Sequence, residues 1–425
     1  MSTAEQVPRG RPLVGSADVD AAADRLAAVL VPSPLEPSSR LSARIGGQVW
    51  LKREDLQAVR SYKVRGAYNL LGQLSQAERA VGVVCASAGN HGQGVAFACS
   101  ALGVRGRVYV PRTTPRQKRD RMAALGGPAI EVLVVGDTYD EAAAAASADV
   151  ARTGSTLVPA FDDPRTIAGQ GTVVSEIVAQ LGRAPDVLLV PVGGGGLLAG
   201  TAAWLGRRHP GLRLVGVEPA GAACMAAALA AGGPVALERL DGFVDGAAVR
   251  RAGELTDPLV RDSGAELVAV SEGRLCTEIL ALYQVDGIIA EPAGALAPAA
   301  LGDTVRPGEG ALTVCVLSGG NNDVSRYAEI IERSLVHEGR KHYFLVDFPQ
   351  EPGALRRFLD EVLGPDDDIT LFEYVKRSNR ETGPALVGIE LGRAEDLPPL
   401  LTRMARSPVG FELVPADSPL FRFLV

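Results

Sequence analysis

The first candidate for chemistry in this sequence is Lys63, in the heptad Ser61–Ala67, which reads SYKVRGA. The preceding segment, Leu51–Leu56, predicts a short strand that runs into a polar loop, so we expect Lys63 just inside the start of a helix. A lysine is a strong nucleophile only when its amine is partly desolvated and loses its proton easily. Such a lysine, set beside an aromatic ring and small residues, could hold a covalent cofactor. The heptad by itself is also consistent with a solvated lysine on a helix.

Three glycine-rich turns follow predicted apolar strands, and each is expected at the carboxyl end of its strand, where it opens a helix. They are Ser87-Ala88-Gly89-Asn90-His91-Gly92, Gly193-Gly194-Gly195-Gly196-Leu197 and Ser318-Gly319-Gly320-Asn321-Asn322-Asp323. Ligands of α/β proteins bind at the carboxyl ends of the strands. The three turns are therefore candidate ligand sites.

The four-glycine turn is the best candidate for binding a phosphate. Glycines let the backbone close around an anion, so that several N–H groups and the helix dipole point at it. A plain strand-to-helix turn is the alternative. No Walker lysine follows, which disfavours a P-loop NTPase. The position about 20 residues on is Arg213 rather than an acid, which disfavours a dinucleotide site.

The Ser87–Gly92 turn offers groups for a carboxylate and for a neutral ring oxygen. The backbone and Ser87 could hold a carboxylate, and the amide of Asn90 is both a donor and an acceptor. His91 could be a general base, but a single histidine with no visible acid partner favours a packing or capping role.

Two further residues have a functional and a structural interpretation. Ser318 could give one neutral hydrogen bond to a ring nitrogen, or it could cap the helix expected near Asp323. Glu291 could be a buried acid that faces the site. We favour the alternative that it is a first-turn acid stabilised by the helix dipole.

Composition indicates a globular protein of more than one domain. The chain has 425 residues, of which 47% are hydrophobic and 22% charged, and its net charge of −7 argues against nucleic acid as a partner. No signal peptide or membrane span is evident, so we expect no membrane association and a cytoplasmic location. Five scattered cysteines predict reduced and mostly buried thiols.

Apolar strands alternate with helices through the first three quarters of the chain, which predicts an α/β architecture with a parallel sheet covered on both faces. A capping box is predicted at Thr138 and Glu141. After Ser334 the predicted order is β-α-β-β-α-β, which is the ferredoxin-like unit. Its elements are a strand Tyr343–Phe348, a helix with Leu355, Phe358, Leu359 and Val362 on one face, strands Ile369–Lys376 and Pro384–Leu391, a helix with Leu397, Leu400, Leu401 and Met404, and a strand Phe411–Val414. We expect the charged segment Glu332–Lys341 to be the linker.

Together these features resemble the fold-type II pyridoxal phosphate enzymes, most closely the biosynthetic threonine dehydratases (threonine ammonia-lyases), from about Leu35 to Val425. The resemblance implies a tryptophan synthase beta-like catalytic part of two α/β subdomains, at residues 1–334 with the smaller subdomain at about 60–165. It also implies an ACT-like regulatory domain at residues 335–425. The tail motifs that resemble this domain are His342–Leu355 and Asp368–Tyr374.

The resemblance also implies roles for individual residues. Lys63 is the Schiff-base residue, and Tyr62 stands where the family often has phenylalanine. Asn90 meets the ring hydroxyl of the cofactor, and Ser318 faces its pyridine nitrogen. A neutral partner for that nitrogen implies β-elimination rather than transamination. The phosphate cup is Gly193, Gly194, Gly195, Gly196 and Leu197, and the loop for the substrate carboxylate is Ser87, Ala88, Gly89, Asn90 and His91.

The implied reaction converts threonine, and also serine, to a 2-oxo acid and ammonia; threonine gives 2-oxobutanoate, the first step of isoleucine biosynthesis. Isoleucine and valine are the implied effectors, and a homotetramer is the implied assembly. Racemase-type relatives have a metal-binding acid six residues after the counterpart of Glu218. Here Cys224 stands at that position, so no divalent metal is expected there. The alternatives are a catabolic serine/threonine dehydratase, a β-replacing synthase, a serine racemase-like enzyme, and an amino-acid-binding regulator without turnover.

Overall fold

The computed structural model describes residues 13–206, 208–374, 381–415, 418 and 420–424. The α-helices are α1 (Ser16–Leu26), α2 (Ser39–Ile45), α3 (Lys63–Gly72), α4 (Gln76–Val81), α5 (Asn90–Leu102), α6 (Arg116–Gly126), α7 (Tyr139–Thr153), α8 (Pro164–Leu181), α9 (Gly196–Leu205), α10 (Cys224–Ala231), α11 (Thr256–Ser263), α12 (Glu272–Gln284), α13 (Pro292–Ala299), α14 (Tyr327–His337), α15 (Ala354–Glu361) and α16 (Leu397–Arg406). The strands are β1 (Leu35–Pro37), β2 (Gln48–Arg53), β3 (Val83–Ala86), β4 (Gly106–Val110), β5 (Ile130–Val134), β6 (Thr156–Leu157), β7 (Val187–Pro191), β8 (Arg213–Pro219), β9 (Glu266–Val270), β10 (Leu312–Leu317), β11 (Lys341–Pro349), β12 (Asp368–Tyr374), β13 (Thr382–Glu390) and β14 (Gly410–Leu413).

The contacts divide the chain into two compact units. The first runs to Glu272 and includes Leu282–Asn322, and the second contains Gly273–Ala281 and the chain from Asp323 onward. Within the described part of the chain, no helix is both long and apolar enough to cross a bilayer.

The larger sheet of the first unit has six strands in the order β1-β2-β10-β7-β8-β9. Only β1 is antiparallel to its neighbour. Every residue of β7 and β10 is buried, as expected for near-continuous apolar strands covered on both faces. The α/β prediction is therefore confirmed for this part of the chain.

The smaller sheet of the first unit is wholly parallel, in the order β5-β4-β3-β6. Its core includes Leu70 and Leu71 from α3 and Val95 and Cys99 from α5. The helices α3 and α5 are thereby packed together in one core. All five cysteines of the chain are buried, as predicted.

The second unit contains an antiparallel sheet in the order β12-β13-β11-β14, which confirms the ferredoxin-like prediction. Phe344, Val346 and Phe348 of β11 pack with Phe358 of α15 in its core.

Of the four residues predicted on one face of α15, Phe358 and Val362 are buried, while Leu355 and Leu359 are 43% and 42% exposed. One prediction about this unit is wrong. The segment expected to be the linker, Glu332–Lys341, contains the end of α14 and the start of β11. The Glu332 carboxylate in α14 accepts hydrogen bonds from Lys341 Nζ at 2.7 Å and from the Tyr343 hydroxyl. Lys376, the predicted end of the second strand, lies outside the described residues.

Candidate active site

Lys63 is the first residue of α3, and its turn is tied to the end of β10. The backbone N–H of Tyr62 donates to the carbonyl of Ser318 at 3.1 Å, and Ser61 forms an isolated β-bridge with Gly319. Arg60 adopts a positive φ of 54°, which is costly for a residue with a side chain. These contacts place the turn that carries Lys63 (the lysine turn, residues 60–63) beside the Ser318 turn.

The half-buried side chain of Lys63 reaches another loop of the same unit. Its Nζ donates to the carbonyl of Ala160 at 3.3 Å and lies 5.3 Å from the ring centroid of Tyr62. A Cβ at Gly94 of α5 would lie 3.1 Å from the carbonyl group of Lys63. A side chain at this position would force α5 and the lysine backbone apart by a few tenths of an ångström. The start of α5, which carries the Ser87–Gly92 turn, is therefore also near Lys63.

A buried ion network holds α3 behind the lysine. Arg65 is fully buried and donates to the carboxylate of Glu54 at 2.7 and 2.8 Å and to that of Glu176 at 2.7 and 2.8 Å. Lys52 is also fully buried and donates to Glu176 at 2.8 Å. Because the two cations face two carboxylates, the burial of each charge is compensated.

The four-glycine turn joins β7 to α9, and its backbone is enclosed by side chains. A Cβ at Gly194 would lie 2.5 Å from the ring of Phe161, and one at Gly195 would lie 2.3 Å from Cε of Met225. Gly195 has a φ of +94°, in the left-handed region that favours glycine. The hydroxyl of Thr256 donates to the carbonyl of Gly194 at 2.6 Å. The turn is thus held rigidly at the start of a ten-residue helix.

The remaining positions of this turn are equally confined. A Cβ at Gly193 would lie 2.9 Å from the carbonyl oxygen of Ala247, and one at Gly196 would lie 2.9 Å from Cβ of Phe161. Leu197 is buried in the core of the larger sheet. N–H groups at such a helix start form a ready binding site for an anion.

The Ser87–His91 turn follows β3, and α5 begins at Asn90. The backbone N–H of Gly89 donates to the Ser87 hydroxyl at 3.3 Å, and Ala88 lies between them. His91 is buried, with Nε2 at 2.8 Å from the carbonyl of Val158, while its Nδ1 has no partner among the described residues. Burial, and next the charge of Lys63, lower the pKa of His91 to about 4. An imidazole with so low a pKa is a weak base, which favours the packing role over that of a general base.

Ser318 follows β10 and is buried, and its hydroxyl donates to the carbonyl of Ala293 at 3.3 Å. It does not cap the next helical turn. The Asp323 carboxylate accepts from the N–H of Ser325 at 3.0 Å and provides that cap. The capping interpretation of Ser318 is therefore wrong, because the turn extends five residues further before it becomes helical.

Glu291 precedes α13, but its carboxylate makes no cap with that helix. It is 5% exposed and accepts a hydrogen bond from Asn90 Nδ2 at 2.5 Å. The favoured interpretation as a first-turn acid is thus wrong, and Glu291 is a buried acid beside Asn90. Burial, and next the charge of Asp245, raise the pKa of Glu291 to about 7, while the bond from Asn90 and the charge of Lys118 lower it.

Sequence reasoning missed several groups at this site. Phe161 and Asp162 belong to the loop before α8, where the Asp162 carboxylate accepts the N–H groups of Glu254 and Leu255 at 3.0 and 2.9 Å. This loop follows β6, so its place at a strand end was the signal that could have identified it. Thr256 had no such signal, because it contacts the glycine turn from a distant segment.

Comparison with known proteins gives consistent matches over the whole chain. The family described as pyridoxal-phosphate dependent enzyme matches residues 27–319, and the C-terminal regulatory domain of threonine dehydratase matches residues 332–424. The chain is 62% identical to the "L-threonine dehydratase biosynthetic IlvA" of Mycobacterium tuberculosis, over 99% of each chain.

Solved structures of two plant proteins are also similar. The processed form of threonine deaminase isoform 2 from Solanum lycopersicum is 36% identical with a TM-score of 0.70, and the match covers 79% of this chain and 98% of that one. Maize serine racemase is 28% identical with a TM-score of 0.70, and the match covers 76% and 99%.

Proposed function

Because the chain belongs to the pyridoxal-phosphate-dependent enzymes and carries the regulatory domain of the threonine dehydratases, we propose that it is an L-threonine ammonia-lyase of isoleucine biosynthesis. The observation that carries the proposal is the tie between the lysine turn and the Ser318 turn, next to α5 and its Asn90. A reactive amine and the neutral groups that suit a pyridoxal ring are thereby brought together.

The residues present fit pyridoxal phosphate. The four-glycine turn is so closely surrounded that a Cβ on any of its glycines would clash with neighbouring atoms. Its N–H groups at the start of α9 suit a phosphate. Asn90 Nδ2 uses one of its two hydrogens on Glu291, which leaves the second for a ring oxygen. Ser318 presents a neutral hydroxyl for the ring nitrogen, and Tyr62 presents an aromatic face beside Lys63.

In this proposal Lys63 holds the cofactor in the resting enzyme, and its amine takes the α-proton of threonine once the substrate is bound. Pyridoxal phosphate supplies an electron sink for the charge that develops at the α-carbon. The Ser87–His91 turn holds the substrate carboxylate, with the hydroxyl of Ser87 and backbone N–H groups as donors. Loss of the β-hydroxyl and hydrolysis then yield 2-oxobutanoate and ammonia.

The direct test replaces Lys63 with alanine and, as a matched control, with arginine, which keeps the charge but cannot form the covalent bond. We expect both variants to lose 2-oxobutanoate production from threonine and the visible absorbance of the bound cofactor. An intact absorbance band in Lys63→Ala would refute the assignment of this lysine.

We further propose that residues 335–425 form a regulatory domain that binds isoleucine, with valine as a second effector. The match of residues 332–424 to a regulatory domain supports this, and such control requires a coupling free energy between two sites. Titration of the full chain with each amino acid should change the threonine saturation curve, and deletion of residues 335–425 should abolish that response but not the activity. An isoleucine response that survives the deletion would refute this role.

A serine racemase-like activity is the second candidate, supported by the similarity to the maize enzyme. Chiral analysis of the product from L-serine separates the two, because elimination gives 2-oxo acid and racemisation gives D-serine. We also propose a cytoplasmic homotetramer, which sedimentation of the purified protein and fractionation of cells would test.

A further inference from the structure

Asn90 is held from both sides by groups that fix the direction of its side-chain amide. Its Nδ2 donates to Glu291 at 2.5 Å, and its Oδ1 accepts from Asn321 Nδ2 at 2.6 Å. The same Asn321 nitrogen donates to the carbonyl of Val59 at 2.9 Å. The three side chains therefore form a chain of hydrogen bonds that starts at a backbone carbonyl and ends at a carboxylate.

The groups at the two ends of this hydrogen-bonded series indicate which atom donates and which accepts in each bond. A backbone carbonyl can only accept, so the Asn321 group that faces Val59 must be the NH₂ group. That group then donates to Asn90, which must present its oxygen on this side. On the other side Asn90 presents its NH₂ group to the Glu291 carboxylate, and this hydrogen bond favours the ionised acid by lowering its pKa. The carbonyl of Val59 therefore fixes the orientation of Asn90, and the contact with Glu291 is compatible with it.

The carboxylate of Glu291 lies against the backbone of Gly319. A Cβ at Gly319 would lie 2.1 Å from Glu291 Oε1, so only glycine at 319 leaves room for the acid. The backbone N–H of Glu291 donates to the Gly319 carbonyl at 3.1 Å, which ties the acid to the turn after β10.

We propose that Glu291, together with Asn321, is a positioning residue that holds the Asn90 amide in the one orientation in which its second N–H is directed at the ring oxygen of pyridoxal phosphate. The inference rests on the proposed function, because it takes Asn90 as the partner of that oxygen. In this role Glu291 acts through its hydrogen bond with Asn90.

The test compares two ligands of the full-length apoprotein: pyridoxal 5′-phosphate and the analogue in which hydrogen replaces the ring hydroxyl. Dissociation constants are measured by quenching of tryptophan fluorescence, which requires no turnover. One hydrogen bond to an ionised oxygen should make the wild-type protein prefer pyridoxal phosphate about tenfold. Glu291→Ala should remove most of this preference, and Glu291→Gln, which keeps an acceptor oxygen of similar reach, should retain more of it.

The outcomes are distinguishable. Equal weakening of both ligands by Glu291→Ala would mean a merely structural role and would overturn the inference, as would an unchanged preference or an equal loss in both variants. If the wild-type protein bound both ligands equally well, Asn90 would not contact the ring oxygen, and the inference would fail for that reason. The Lys63 variants would still test the enzyme assignment. If Glu291→Ala does not fold, Asn321→Ala removes the other contact of Asn90 and should reduce the preference in the same way.

Discussion

Substitution of Gly195 by alanine tests whether the four-glycine turn is a rigid phosphate cradle. Its φ of +94° makes a side chain costly, by about 1–2 kcal/mol. The new methyl group would also lie 2.3 Å from Cε of Met225 and 2.8 Å from the hydroxyl of Thr256. The methionine end can rotate away. The threonine is held at 2.6 Å from the Gly194 carbonyl, and losing that buried bond costs about 1–3 kcal/mol.

These contributions predict a destabilisation of about 2–5 kcal/mol for Gly195→Ala. Gly232→Ala is the matched control, because Gly232 has a similar φ of +82° and no atom within 4 Å of its hypothetical Cβ. It should show only the backbone cost of about 1–2 kcal/mol. The displaced turn should also bind pyridoxal phosphate about tenfold or more weakly, since one charge-assisted hydrogen bond is worth that much.

Tryptophan fluorescence measures both effects in the relevant part of the molecule. The two tryptophans of the chain, Trp50 and Trp204, both belong to the first unit, so a denaturant titration reports its unfolding. A cofactor titration of the apoprotein gives the dissociation constant. If Gly195→Ala matched Gly232→Ala in both measurements, the turn would be neither confined nor in contact with the phosphate.

Two further substitutions test the charges of the first unit. Arg65→Met should destabilise this unit by about 3–5 kcal/mol, because it leaves two carboxylates with one buried lysine; a loss below about 1 kcal/mol would show that the network contributes little. Burial raises the pKa of Glu218 to about 7, although it accepts the N–H groups of Met225 and Ala226. The native state therefore retains a proton that the unfolded state loses, and stability falls as the pH rises from about 4.5 to about 7. Glu218→Gln cannot titrate and also loses one of the two acceptor oxygens, so its absolute effect includes a lost hydrogen bond. Its effect on the free energy of unfolding should therefore become more favourable by up to about 3 kcal/mol between pH 4 and pH 8. Equal effects in denaturant titrations at the two pH values would contradict this reasoning.

Local patterns in the sequence were sufficient for much of the fold. Near-continuous apolar runs predicted the buried strands β7 and β10, and the capping box at Thr138 and Glu141 marked the start of α7. The order of elements after Ser334 predicted the ferredoxin-like sheet. Such features are encoded within a few residues, so they can be read without knowledge of distant contacts.

The amphipathic pattern was less reliable at the surface of the second unit. Leu355 and Leu359 have the spacing of a buried helical face, yet both are exposed. Spacing shows which residues share a face but not how wide a stripe the neighbouring strands cover. Similarly, charge suggested a linker where Glu332 instead bonds to Lys341 and Tyr343.

The sequence by itself determined which residue types stand at the ends of strands: a lysine beside a ring, three glycine-rich turns and a neutral serine. Only the tertiary structure decided which distant groups meet them. Glu291 lies 201 residues from Asn90, and Asn321 lies 231 residues from it. Those pairings depend on the parallel register of β2 with β10 and on glycines that permit close backbone approach. A pattern of neighbouring residues carries no information on such pairings, because hydrogen bonds between side chains depend on distance in space.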